Sequence, residues 1–199
     1  MKLSIYRLPV VVLALAFSIV RVQAQTTGIN LGFTQPKIAI LMLPEVKAEL
    51  KLTKQQDKTL QASLKSQQGG LESMPMSGFG VQGIMGALDS ELPSILTPEQ
   101  LTRLNELWIQ HEGAVVLEAE EIAKALKLAE DQRGKIENLV EQFRDTQMEM
   151  MQGGIRSQGD MKKLKTLQAE SEKKILAVLT EAQLKMFGEM QGRLFKFKG

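Results

Sequence analysis

A five-residue pattern, Leu-Thr-x-x-Gln, occurs four times in this chain and constrains its fold more than any other feature. The copies begin at Leu52, Leu96, Leu128 and Leu179, and the third has Ala129 in place of threonine. A threonine followed three positions later by glutamine is a capping box: the hydroxyl accepts from an early helical N–H, and the glutamine reaches back to the N–H of the capping residue. Each copy therefore predicts the start of an α-helix.

The four copies supply eleven candidate helix-capping residues, which we interpret as structural. They are Leu52, Thr53 and Gln56; Leu96, Thr97 and Gln100; Leu128 and Gln132; and Leu179, Thr180 and Gln183. In the second copy Pro98 fits the first helical position, where a backbone N–H has no helical partner to lose. The motif by itself thus predicts neither a catalytic nor a binding site.

The copies are arranged as two tandem units. Residues 45–52 recur at 121–128, and residues 96–101 recur at 179–184. The second unit has eight more residues between its first motif and its Gly-Gly pair, which is a little over two helical turns. The repeat predicts an all-α fold of two tandem long helical hairpins, of which the second has the longer arm.

The spacing of apolar side chains supports helices and places the turns. Apolar residues follow the motifs at intervals of three and four, as Ile136, Val140 and Phe143 do, and this interval is typical of a helix face. Glycine-rich stretches at 69–86 and 153–159 are predicted to be the turns between helices. Only the tail, residues 194–197, alternates apolar and polar residues, so we expect it to lie extended against the bundle.

The first 24 residues have the layout of a secretory signal peptide. Two basic residues precede an apolar run over 8–20, and Val22 and Ala24 stand at the third and last positions before the predicted cleavage. The run is shorter than the roughly 20 residues that span a bilayer, although an uncleaved N-terminal anchor is the alternative. We expect a mature chain that starts at Gln25, is periplasmic or secreted, and has no membrane span.

The predicted organisation has four parts. Residues 1–24 form the signal peptide, residues 25–38 a flexible N-terminal segment, residues 39–113 the first helical unit and residues 114–199 the second. Removal of the signal leaves 22 basic residues against 23 acidic ones. The basic balance of the full sequence is thus a targeting feature, and we predict no nucleic-acid partner.

Residue counts exclude several kinds of site. The chain has no cysteine and one histidine, His111, which excludes disulfides, thiolate sites and centres that need several imidazoles. We expect His111 to lie at a helix C-terminus, where a cation is favourable, and the carboxylates of Glu118, Glu120 and Glu121 to be solvated. We predict no catalytic residues, no metal site and no cofactor.

Methionine is unusually frequent, with eleven residues. Met148, Met150 and Met151 end the long arm of the second unit and are candidate client-binding residues, because flexible thioether side chains adapt to varied apolar surfaces. Two alternatives remain at this point. The side chains could instead fill the hairpin core, or the thioethers could bind Cu(I).

Paired Leu-Thr-x-x-Gln motifs in a secreted, cysteine-free helical chain resemble the periplasmic LTXXQ family, which includes the Spy and CpxP proteins. With Pro44-Glu45-Val46 before the first motif and Phe195-Lys196-Phe197 at the end, the chain is similar to tandem-LTXXQ secreted bacterial proteins over roughly residues 40 to 190. The resemblance implies helical hairpins and a non-catalytic envelope role, as a chaperone or stress adaptor that binds apolar surfaces of unfolded or envelope proteins. The alternatives are a metal-responsive binding protein and a structural or regulatory protein that docks on one partner.

Overall fold

The computed structural model describes residues 34–73, 78–154 and 157–198, and over these ranges the fold is all-α, which confirms the predicted class. The described helices are α1 (Lys37–Leu41), α2 (Pro44–Glu49), α3 (Lys54–Ser73), α4 (Gly78–Ile95), α5 (Pro98–Glu112), α6 (Glu120–Ala125), α7 (Glu130–Gln152), α8 (Gln158–Leu176) and α9 (Glu181–Met190). A 3₁₀ segment, Gly113–Glu118, joins α5 to α6. The predicted signal peptide lies outside the described residues. Among the described helices, none has the length and apolar character needed to cross a membrane.

Long helices pack in two pairs, α3 on α4 and α7 on α8. The second pair is the longer one, with 23 and 19 residues against 20 and 18. The short helix α1 lies against α4 and α5, and the 3₁₀ segment contacts α5, α6, α7 and α8. This 3₁₀ segment therefore links α5 of the first sequence unit to α6, α7 and α8 of the second.

One apolar core runs through both sequence units. It contains Leu104 and Leu107 from the first unit, together with Val140 and Phe187 from the second, all of them fully buried. The predicted boundary between residues 113 and 114 falls at the start of the 3₁₀ segment, whose residues 113–117 are buried in this core. Removal of one unit would therefore expose the apolar face of the other.

The N-terminal residues of the described chain are held by a carboxylate. Asp89 on α4 accepts hydrogen bonds from the N–H groups of Lys37 (2.8 Å) and Ile38 (2.7 Å), which are the first two of α1. Burial raises the pKa of Asp89, although these two donors and the Lys37 ammonium oppose the rise. Residues 34–38, which the sequence predicts to be part of a flexible segment, therefore belong to the packed body.

The glycine-rich stretches differ in where they interrupt the helices. The predicted break at 69–86 does not begin at its glycines, because α3 continues to Ser73 and α4 already includes Gly86. The packing of α3 on α4 outweighs the cost of glycine in a helix, which is about 1 kcal/mol per residue relative to alanine. At the second stretch α7 ends at Gln152 and α8 begins at Gln158, close to the predicted position.

The two units share a local backbone feature at the ends of α2 and α6. Lys51 and Lys127 have φ angles of 50° and 52°, in the left-handed region. In each unit the N–H of the next residue donates to a carbonyl five residues earlier, at 3.1 and 2.9 Å, which closes a left-handed C-terminal turn. Lysine rarely adopts this conformation, so its presence in both copies shows that the sequence repeat is also a structural one at these positions.

Candidate functional site

The four motifs stand at helix starts. The N–H of Gln100 donates to the Thr97 hydroxyl at 3.2 Å, and the N–H of Thr97 donates to Gln100 Oε1 at 2.9 Å. The boxes that begin at Thr53 and Thr180 have the same pair of bonds. Ala129 lacks the hydroxyl, so only its backbone N–H is bound, to the glutamine three residues later at 3.0 Å.

The glutamine side chains also connect motifs that are distant in sequence. In the first unit Gln56 Nε2 donates to Gln100 Oε1 at 2.6 Å, and Gln100 Nε2 lies 3.3 Å from Gln56 Oε1. Gln56 Nε2 also donates to the carbonyl of Ile95 at 2.9 Å, and Gln100 Nε2 donates to that of Leu50 at 3.0 Å. Each side chain thus joins the start of its own helix to a carbonyl just before the other motif.

The second unit repeats this arrangement. Gln132 Nε2 donates to Gln183 Oε1 at 2.8 Å, and Gln183 Nε2 donates to Gln132 Oε1 at 3.0 Å. The carbonyls of Val178 and Leu126 accept the remaining bonds, at 2.9 and 3.2 Å. We call each pair a glutamine clamp: Gln56 with Gln100, and Gln132 with Gln183.

The clamps satisfy backbone groups that helix ends leave without helical partners. Leu50 and Leu126 are the C-terminal caps of α2 and α6, and Ile95 is the last residue of α4. Carbonyls at such positions need a side chain, water or a turn as partner. The half-buried clamps supply that partner, and this gives the four motif glutamines a structural role.

Loss of a threonine cap should have a measurable cost. Thr97→Ala and Thr180→Ala should each lower the free energy of unfolding by about 1 kcal/mol, because each removes the acceptor of an early helical N–H. Ala129→Thr should be neutral or mildly stabilising, since it restores the missing hydroxyl. Denaturant midpoints at constant slope measure these changes. An unchanged denaturant midpoint in both threonine variants would contradict the capping role.

The candidate client-binding methionines lie near the end of α7. Met148 is 49% exposed and Met151 is 45% exposed, whereas Met150 is half-buried. Residues three positions apart share a helix face, so Met148 and Met151 present neighbouring thioethers to solvent. These two side chains therefore do not fill the hairpin core.

His111 lies in the last helical turn of α5, but its contacts are with side chains. Its Nδ1 atom is 3.0 Å from Oε1 of Glu112, and its ring meets that of Phe197 edge-on with 5.2 Å between centroids. No group of three or more potential metal-ligating His, Cys, Asp or Glu side chains occurs among the residues that the structure describes.

The carboxylates that were expected to be solvated form ion pairs. Glu120 pairs with Arg133 at 2.7 Å, and Glu118 pairs with Arg144 at 3.2 Å. Glu120 is exposed, but Glu118 is half-buried, and this burial raises its pKa even though Arg144 opposes the rise. The expectation of a solvated Glu118 is therefore wrong, because the packing of α7 on the 3₁₀ segment covers it.

The sequence pattern alone does not predict one buried and one partly buried carboxylate, Glu112 and Glu172. Glu112 is 2% exposed, and its Oε2 accepts from the N–H of Gln35 at 3.0 Å. Glu172 on α8 accepts from the N–H of Ala114, but its Oε1 is buried without a hydrogen-bond partner, and desolvation raises its pKa to about 7. Both line a cavity of about 10 Å³, which is room for about one water. The sequence offers one indication of this burial: Glu172 lies three residues before the buried Ile175, and residues at this spacing share a helix face.

Comparison with known proteins finds no match: no family model, no curated protein and no solved structure matches this chain. The resemblance to the periplasmic LTXXQ family therefore rests on the motif residues themselves. Their geometry explains why threonine and glutamine occur together, because the threonine caps the helix while the glutamine both completes the box and forms the clamp.

Proposed function

We propose that this chain is a non-catalytic protein of the bacterial envelope that binds apolar surfaces of unfolded or partner proteins, as a Spy/CpxP-like chaperone or stress adaptor. The observation that carries the proposal is the exposure of Met148 and Met151 on the longest helix of the described structure. The envelope location rests on the signal-peptide layout of residues 1–24 and is consistent with the lack of cysteine.

The geometry of α7 supports a binding arm. Its 23 residues extend about 34 Å at 1.5 Å per residue. The buried apolar side chains of α7 end at Phe143, and beyond it the only buried residue in the described part of the helix is Gln147. The last turns of α7 therefore contribute little to the apolar core, and their exposed methionines are free to contact another protein.

The contact we propose is apolar and adaptable. Methionine has three rotatable bonds and a polarisable sulfur, and such side chains serve surfaces that bind varied partners. The mature chain is close to electrically neutral, with 22 basic and 23 acidic residues, so long-range charge contributes little to its encounters. Added salt should accordingly change binding only slightly, because screening weakens charge interactions alone.

The arm can be tested with a double variant. Met148→Gln with Met151→Gln should weaken suppression of the aggregation of an unrelated unfolding protein, with an apparent affinity lower by about tenfold, which is ~1.4 kcal/mol of lost apolar contact. Helicity measured by circular dichroism should stay unchanged, because glutamine is a good helix former. The matched control is Met186→Gln on α9, which changes a methionine that is 40% exposed but far from the arm in sequence.

The other outcomes separate the alternatives. Wild-type suppression by a folded double variant would contradict binding through the arm. Because Met148 and Met151 lie on one helix face, the metal-responsive alternative predicts that the wild type takes Cu(I) from a competing chelator and that the double variant does not. Binding of one envelope protein, with no suppression of general aggregation, would favour the structural or regulatory alternative.

A further inference from the structure

The tail after α9 lies on the bundle in an extended, alternating arrangement. Residues 193–198 form no regular secondary structure. Leu194 is 68% exposed and Lys196 is exposed, whereas Phe195 is half-buried and Phe197 is 3% exposed. This alternation is the exposure pattern of an extended chain with one face against a surface.

A buried glutamine on α5 binds the backbone of this tail. Gln110 is 5% exposed, and its Nε2 donates to the carbonyls of Gln191 and, at 3.0 Å, Arg193. Its Oε1 accepts from the N–H of Phe195 at 2.8 Å. Arg103 adds a 2.7 Å bond to the carbonyl of Arg193. These bonds involve only backbone atoms of the tail, so they do not depend on which side chains the bound segment carries.

Side-chain contacts supply the selectivity that the backbone bonds lack. The ring of Phe197 is buried between those of His111 and Phe195, with centroid distances of 5.2 and 5.0 Å. Two carboxylates of α2 face the tail: Glu45 accepts from the N–H of Lys198 at 3.2 Å, and Glu49 pairs with Arg193. The surface therefore fits two aromatic side chains two positions apart, with one basic side chain two positions before the first of them.

Two features make the tail separable from this surface. Gly192, at φ 58°, is the last residue before the tail, and glycine changes between left- and right-handed conformations with little steric cost. The docked state also leaves Nε2 of Gln191 buried without a hydrogen-bond partner, which is unfavourable. Release of the tail would expose that amide to water.

We infer that the surface formed by Gln110, His111, Glu45 and Glu49 is a binding groove for extended segments of other polypeptides, and that residues 193–198 occupy it as a resident ligand. We call this surface the tail groove. Its partner is an extended segment with aromatic residues two positions apart and one Lys or Arg two positions before the first of them. Main-chain hydrogen bonds with pockets for alternate side chains are a known mode of peptide recognition, and the docked tail displays the chemistry that fits.

The tail groove is distinct from the methionine arm. It lies on α5 and α2, whereas Met148 and Met151 are on α7. The arm variants should therefore leave binding in the tail groove unchanged, so failure of either proposal does not affect the other. Because the tail is attached, its effective concentration at the groove is about millimolar, and a free segment must compete with it.

The test uses the full chain with its tail weakened. Phe195→Ser with Phe197→Ser removes the aromatic contacts of the tail and keeps the groove. A fluorescent peptide with the sequence of residues 193–198 should bind this variant at least about tenfold more tightly than the wild type, as measured by anisotropy, because the competing tail is weakened. A second peptide that keeps the Phe-x-Phe spacing and the arginine two positions before it, with its other residues changed, should bind as well.

Matched controls define the result that overturns the inference. A peptide with serine in place of both phenylalanines should not bind, and Gln110→Leu in the weakened-tail variant should abolish binding. Equal binding of the aromatic and serine peptides, or no binding to a folded variant, would overturn the inference. Binding of the chain's own tail sequence alone would also overturn it, because the groove would then serve only a second copy of this chain.

A second measurement does not depend on the folding of the weakened variant. The chain has no cysteine, so Lys196→Cys provides a unique site for a spin label on an exposed tail position. The label should be immobilised in the free protein and become mobile when the aromatic peptide is added at millimolar concentration. The serine peptide should leave the spectrum unchanged, and an aromatic peptide that also leaves it unchanged would contradict displacement.

Discussion

Gln183→Ala should lower the free energy of unfolding by about 2–3 kcal/mol, more than loss of any threonine cap. The variant loses the bonds of Gln183 to the carbonyl of Leu126, to the N–H of Thr180 and to Gln132. Each such bond contributes about 1 kcal/mol net, and an acceptor left without a partner costs more when it is buried. Leu126 is only 2% exposed, so water cannot readily replace the lost donor.

A double-mutant cycle isolates the clamp from the separate bonds of its members. Gln132→Ala and Gln183→Ala should be coupled by about 1 kcal/mol, because the two amides share a pair of hydrogen bonds. Urea unfolding of the wild type, both single variants and the double variant measures the coupling. Gln142→Ala, which changes an exposed glutamine of α7, is the control and should stay within about 0.5 kcal/mol of wild type. Additive single effects would show that the two amides act independently.

Helix starts could be predicted from the sequence because capping is a local interaction. Thr97 and Gln100 lie within one turn of each other, and their two hydrogen bonds depend on little outside α5. The same holds for Thr180 and Gln183 at the start of α9. Local chemistry therefore fixes where these helices begin, whatever the tertiary fold.

The clamps could not be predicted in the same way. Gln56 and Gln100 are 44 residues apart, and Gln132 and Gln183 are 51 apart. No local interaction specifies that the Nε2 group of each side chain binds a distant glutamine rather than water. The only indication in the sequence is that the motif recurs in pairs. This recurrence predicts a repeat, but it does not predict that the paired glutamines bind each other.

Local sequence pattern alone does not predict which polar residues are buried. Gln110 and Glu172 are polar residues that tertiary packing buries wholly or in part: the tail covers one, and the junction of α8 with the 3₁₀ segment covers the other. Residue type alone favours exposure for both. The spacing of apolar residues can indicate that a polar residue is buried. It cannot identify the partners of that residue, because they come from segments remote in the sequence.

Glu172→Gln should stabilise the protein at alkaline pH and have little effect at acidic pH. Burial raises the pKa of Glu172 from 4.5 to about 7, so the folded state retains a proton that the unfolded state releases. The contribution of Glu172 to the free energy of unfolding is therefore fully present below about pH 4.5 and falls as the pH rises toward 7. Above about pH 7 this contribution no longer changes. Glutamine keeps the shape and an acceptor for the N–H of Ala114 without a charge to bury.

The expected effect follows from the neighbours of the carboxyl group. The cavity beside Glu172 contains one other carboxylate, Glu112, which is itself bonded to His111 and Gln35; α7 contributes the apolar Phe143. No cation among these neighbours stabilises the charged form of Glu172. We expect the variant to gain about 1–2 kcal/mol over wild type between pH 5 and pH 8, less than the full shift implies because the group is partly reached by water.

Urea unfolding at pH 5, 6, 7 and 8 measures this gain as a difference between variant and wild type. Other groups whose pKa is raised by burial, such as Asp89 and Glu118, are present in both proteins and cancel in the difference. Glu170→Gln, two residues away on the exposed face of α8, removes the same charge and is the matched control. A difference for Glu172→Gln that does not change with pH would show that its carboxyl titrates normally in the folded protein. It would also mean that water reaches the junction of α8 with the 3₁₀ segment more freely than the packing indicates.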